Sequence, residues 1–156
     1  MALEKDVNSY ATVAEADAYF ADRLSGASWA SISPEMKAKA LISATQKLDE
    51  MRWKNSAIAS DQPLAFPRTG SYFDKRMGAY IPMTPTPNAI RISAIEMALF
   101  LLENPDSQET GSYVKELKVG PIELKGLERT SKQPSVVQNA LADMLDGSGR
   151  QWWRAN

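Results

Sequence analysis

The stretch Thr86–Leu102, TPNAIRISAIEMALFLL, constrains the rest of the chain more than any other. Thr86 followed by Pro87 predicts an N-cap with proline at the first helical position, where a missing N–H costs nothing. Ile90, Ala94, Met97 and Leu101 recur at helical spacing, and Ile95, Ala98, Leu99 and Leu102 fill much of the remaining circumference. A helix apolar nearly all round must be covered on most sides, so it belongs in the middle of a bundle. Its apolar run falls far short of the ~20 residues of a membrane span, and no membrane partner is expected. Glu96 interrupts the run with a charge that needs a partner. The expected fold is mainly α: one domain over residues 1–156, a small bundle of about four helices around this one, with a long proline-rich loop, a short β-hairpin and a C-terminal arm over 147–156.

Ahead of that helix, the polar N-terminus reads as loose as far as Tyr10. It has no basic stretch leading into an apolar one, so no signal peptide is expected and the chain reads as soluble and intracellular. Thr12 and Glu15 form a capping box for a first helix with Val13, Ala16, Tyr19, Phe20 and Leu24 as its stripe, ended by Ser25–Gly26. Trp29 lies in the connection that follows, where its expected role is to pin that loop to the core. Ser33 and Pro34 start a second helix running to about Trp53. Met36, Ala40, Leu41, Ala44, Leu48 and Met51 mark its buried face, and Lys37, Lys39, Lys47, Asp49 and Glu50 its wet one.

Periodicity then stops. Lys54–Pro85 reads as a long irregular stretch with Pro63, Pro67, Pro82 and Pro85, and segments of that length tend to be functional or mobile. Within Gln62–Gly70, Leu64 and Phe66 read as anchors into the core, and Arg68 as the partner of Glu96. Arg68 touching a partner chain or a phosphate is the alternative. After the central helix, Leu117 and Val119, then Ile122 and Leu124, alternate with charged residues about Gly120–Pro121, a hairpin signal. A last helix begins near Gln133–Pro134, shows Val137, Ala140, Leu141, Met144 and Leu145, and stops at Gly147. Beyond it, Trp152 and Trp153 sit between Arg150 and Arg154. Three roles fit such a tail: folding back on the core, docking on another protein, or stacking on nucleic-acid bases.

Chemistry is sparse. With neither Cys nor His, no Ser-His-Asp or Cys-His set and no cysteine- or histidine-based metal site is possible. The glycines are scattered, none opening a helix beside a lysine, so there is no phosphate loop. No enzyme activity, cofactor or metal is expected. A net charge of −1 gives no long-range pull toward nucleic acid or anionic lipid.

The segments SYATVAEADAYFADRL, ALISATQKLDEMRW, QPLAFPRTG and the helix after Ile81–Pro82, in this order, resemble a family of small tailed-bacteriophage virion proteins, the head-to-tail connector (adaptor) proteins. Members are often labelled DnaT-like single-stranded-DNA-binding proteins. The resemblance covers roughly residues 9–145. It implies a ring of this chain, usually twelve-fold, that joins the portal protein to the tail protein at the head-tail junction of the virion, after synthesis in the host bacterial cytoplasm. Double-stranded DNA would pass through the lumen without being read. Under that reading Gln62, Phe66, Arg68, Tyr72, Phe73, Tyr80, Leu117, Val119, Ile122 and Leu124 are candidate subunit contacts, and Arg150, Trp152, Trp153 and Arg154 dock on the portal or a neighbour. The rival reading is a single-stranded-DNA-binding replication accessory. A small regulatory or chaperone-like binding protein is the third class.

Overall fold

A computed structural model describes residues 2–105 and 134–147. Its elements are α1 (Val13–Ala21), α2 (Gly26–Ala30), α3 (Pro34–Asp49), β1 (Ser71–Asp74), β2 (Ala79–Pro82), α4 (Asn88–Glu103) and α5 (Ser135–Leu141). The fold is mainly α, with one two-stranded antiparallel sheet among the described residues. As its composition requires, α4 is central. Ile90, Ser93, Ala94, Ile95, Met97, Ala98, Leu99 and Leu101 are all buried, and α4 packs on both α3 and α5. It starts one position later than expected: Pro87, extended at ψ 143°, is the N-cap, and no side chain caps the helix. No described helix is long and apolar enough to cross a membrane.

Two of the helix starts hold as read. Thr12 and Glu15 form the capping box of α1, and the Ser33 hydroxyl accepts the Met36 N–H ahead of Pro34. Other expectations need correction. The N-terminal segment is folded: Asp6 N–H donates to Ser9 O at 2.8 Å, and Ser9, Tyr10 and Ala11 are fully buried. Tyr10 is held from far along the chain. Its N–H donates to Thr45 Oγ1 at 3.2 Å, and its hydroxyl donates to Asp49 and accepts the Phe66 N–H at 3.1 Å. Asp49, expected wet, is therefore half-buried, and burial pushes its carboxyl up while the Tyr10 bond offsets part of that. α1 stops at Ala21, which leaves Leu24 fully exposed rather than in the stripe, and Ser25–Gly26 opens α2. Trp29 is buried as expected, but from that short helix. α3 ends at Asp49 and not at Trp53, whose indole N–H donates to Leu48 O at 2.9 Å.

The start of α3 turns Lys37 inward and leaves Met36 46% exposed, the reverse of the expected faces. Lys37 tolerates this because its ammonium reaches Asp17 Oδ1 at 2.8 Å, the same oxygen that accepts the Trp29 indole N–H at 2.7 Å. The Lys37 bond, aided by Trp29 against some desolvation, holds the Asp17 carboxyl below its usual range. A depressed carboxylate stabilises the fold above its unfolded pKa, and this contribution is lost as pH falls through the folded value. Asp17→Asn is expected to cost on the order of 1 kcal/mol near neutrality, since the acid is half exposed, and nothing in strong acid. Thermal midpoints of both chains across the acid range, converging below the unfolded carboxylate pKa, check this.

The partner of Glu96 is Tyr19, not Arg68. The Tyr19 hydroxyl donates to Glu96 Oε1 at 2.6 Å; burial, then this bond, pushes it up to about 12, so it stays a donor. Arg68 instead ties its own loop together, donating to the carbonyls of Lys54 (2.9 Å), Ala65 (3.1 Å) and Asn55. A guanidinium with several donors suits a loop rich in free carbonyls better than one distant carboxylate. Leu64 and Phe66 are buried anchors as expected. The stretch Lys54–Pro85 is not wholly irregular, since it contains β1 and β2. Finally, α5 ends at Leu141, well before Gly147, and Ala140 is exposed. Val137, Leu141 and Met144 are buried, and Asp146 N–H donates to Arg52 O at 2.8 Å.

Candidate functional site

The β1–β2 hairpin is the most distinctive exposed feature of the described surface. Its strands are rich in the aromatic and branched residues that favour pleated backbone. Pairing is Ser71 with Pro82, Tyr72 with Ile81, Phe73 with Tyr80 and Asp74 with Ala79. Asp74 organises the turn: its Oδ1 accepts the N–H groups of Arg76 (2.8 Å) and Met77 (3.3 Å), and its carbonyl accepts the Gly78 N–H at 2.8 Å. The Arg76 guanidinium and backbone N–H hold the Asp74 carboxyl below its usual range, so it is an acceptor at neutral pH. Gly78 sits at φ +61°, a conformation that a side chain would strain.

The base of the hairpin is fixed to the core. Met83, fully buried, donates its N–H to Gly70 O at 3.0 Å, and its carbonyl accepts the Arg68 N–H at 3.4 Å. Gly70, at φ +79°, has the Asn55 side chain 2.5 Å from where a Cβ would stand. The inner face carries Tyr72, packed against the core, and buried Asp74. On the outer face Phe73 and Tyr80 stand opposite each other, 38% and 73% exposed, their rings edge-to-face at 5.5 Å. Met77 is 67% exposed at the turn beside Lys75 and Arg76. Lys75 pairs with Asp143 at 3.1 Å, both partly exposed, and the exposed Arg76 guanidinium reaches the buried Asp74 carboxylate at 3.3 Å.

The residues singled out in the sequence separate into groups. Phe73 and Tyr80 are together on the solvent face. Phe66 is buried, Tyr72 faces inward, and Arg68 is engaged with carbonyls. Gln62 is a brace: its Oε1 accepts from Ile58 N–H, and its amide donates to the carbonyls of Leu64 and Pro67. Leu117, Val119, Ile122, Leu124, Arg150, Trp152, Trp153 and Arg154 lie outside the described residues. Lys75, Arg76 and Met77 were missed as site residues. The Asp-Lys-Arg-Met-Gly turn between Tyr72–Phe73 and Tyr80 was the signal that could have found them.

Among the described residues no group of acidic side chains is arranged to hold a metal ion. The hairpin presents two rings, a thioether and two cations on its exposed side and turn. No curated protein and no solved structure matches this chain. A family profile does, across residues 2–155, and the chain belongs to the family described as "Putative DnaT-like ssDNA binding protein".

Proposed function

We propose that the chain is a non-catalytic protein that binds single-stranded DNA through its β1–β2 hairpin. The observation that carries this is the Phe73–Tyr80 pair on the solvent face of a rigid hairpin with Lys75 and Arg76 at its turn. Aromatic faces accept any unpaired base, and neighbouring cations track the backbone. The family's description names the same ligand. Rings reach bases only where the strand is unpaired, so single strands are preferred to duplex. Fluorescence anisotropy of a labelled oligo-dT about 15 nucleotides long tests the reading. Binding is expected to weaken with salt at a slope of about −1.4 for two phosphate contacts, with a matching duplex bound far more weakly. Equal affinity for duplex, or no binding at low salt, refutes it.

A second reading keeps the resemblance to phage connectors. The observation that favours it is the same hairpin: both edges of the sheet are unpaired among the described residues, and Phe73, Met77 and Tyr80 expose apolar area suited to a second copy. Here the chain forms a ring between portal and tail in the virion, and genomic DNA passes through unread. Electron microscopy of the portal vertex of particles carrying this protein separates the readings, because a replication accessory is absent from the particle.

A further inference from the structure

We propose that Asp143 stands on Lys75 where a phosphate of the bound strand would stand, and so limits how tightly the hairpin holds single-stranded DNA. This assignment rests on the DNA-binding reading and gives that site an internal competitor. Lys75 lies in the turn between β1 and β2, beside the Phe73–Tyr80 pair, and its ammonium meets Asp143 Oδ2 at 3.1 Å. The two residues come from distant parts of the chain, so the fold and not the local turn brings them together. Their side chains are 68% and 36% exposed, so a strand can reach both.

Asp143 is presented from a fixed support. The chain just after α5 runs antiparallel to the stretch after α3, with Trp53 bridged to Leu145. Lys54 N–H donates to Met144 O at 3.0 Å, and Asp146 N–H donates to Arg52 O at 2.8 Å. The Lys54 ammonium adds a bond to the Asp143 carbonyl at 2.9 Å. A carboxylate oxygen and a phosphate oxygen ask the same of an ammonium, an anionic acceptor at hydrogen-bond distance. A lysine has three donors, but a phosphate brought up beside the carboxylate meets a like charge. The strand therefore binds Lys75 fully only as Asp143 yields. Lys54 gives the displaced carboxylate a destination, because its ammonium is already on the same residue and has two further N–H donors. After the exchange each anion still has a cation. The sign is fixed all the same: the carboxylate opposes the strand.

The test is fluorescence anisotropy with labelled oligo-dT on the full chain and on Asp143→Asn, Lys75→Ala and the two combined. Asp143→Asn is expected to bind about two- to fivefold more tightly at about 50 mM salt, the range an exposed ion pair spans. The gain should fade as salt rises, because the pair is screened. Lys75→Ala should weaken binding, and in its background Asp143→Asn should gain almost nothing, since the competitor has lost the cation it occupies. The thermal midpoint of Asp143→Asn is expected to stay close to that of the parent. Three results overturn the proposal while the parent still binds oligo-dT and the DNA-binding reading stands. They are unchanged or weaker binding by Asp143→Asn, an equal gain in the Lys75→Ala background, which would make the effect one of net charge, and a clear fall in midpoint, which would make the pair a strut of the fold. A parent that binds no oligo-dT removes both.

Discussion

Phe66→Ala is expected to lower the free energy of unfolding by about 3–5 kcal/mol, the range for deleting a buried aromatic ring whose site cannot collapse. Phe66 is 3% exposed and lies edge-to-face with Trp53 at 4.8 Å and Tyr10 at 6.3 Å. Those neighbours are held independently, Trp53 by its bond to Leu48 O and Tyr10 by Thr45 and Asp49, so neither is free to move into the void. Loss of the ring also loosens the Phe66 N–H bond to the Tyr10 hydroxyl, which is what joins the proline-rich loop to the N-terminal segment. Against a domain stability of roughly 5–15 kcal/mol, this brings the variant close to unfolding. Urea titration checks it. The midpoint falls while the slope is unchanged if the domain still unfolds as a unit, and a reduced slope would show the loop detaching first. A loss below about 1 kcal/mol would mean that the ring is not packed as described.

The Phe66 environment shows what a sequence discloses and what it conceals. α4 was legible because Ile90, Ala94, Met97 and Leu101, all buried, recur at helical spacing within one run. The Thr12–Glu15 box and the Ser33–Pro34 start were legible because capping is a matter of three or four neighbouring residues. Phe66 was legible as an anchor because it is apolar in a polar stretch. Its partner Tyr10 was not. That residue stands among polar neighbours, and its bonds reach Thr45, Asp49 and Phe66, all set by tertiary packing. Lys37 failed for a similar reason. A lysine on a helix is ordinarily wet, and only the approach of Asp17 and Trp29 from other elements makes its burial tolerable. The choice of Arg68 for Glu96 followed charge alone, whereas the fold met that carboxylate with a hydroxyl.

The site was half legible. Tyr72, Phe73 and Tyr80 stood out for composition, yet SYFD and AYIP lack the alternation that announces a strand, since both faces carry aromatic or apolar residues. The hairpin became visible only through the Asp74 turn and Gly78.

The second large effect concerns that hairpin. Phe73→Ala with Tyr80→Ala is expected to weaken oligo-dT binding by about 2–4 kcal/mol, some 30- to 1000-fold, from about 1–3 kcal/mol for each stacking ring. The two losses should be less than additive, because the rings touch at 5.5 Å and shape one platform. Both side chains are on the solvent face and the turn is held by Asp74 and Gly78, so the helical circular dichroism should not change. Lys75→Ala with Arg76→Ala should act differently. It reduces the salt slope toward zero while sparing much of the affinity at high salt, because it removes phosphate contacts and leaves the stacking. Anisotropy titrations of the four chains at several salt concentrations give the comparison. If the aromatic double variant binds oligo-dT like the parent but no longer self-associates in sedimentation, the rings serve contacts between copies, and the ring-forming reading takes the place of the DNA-binding one.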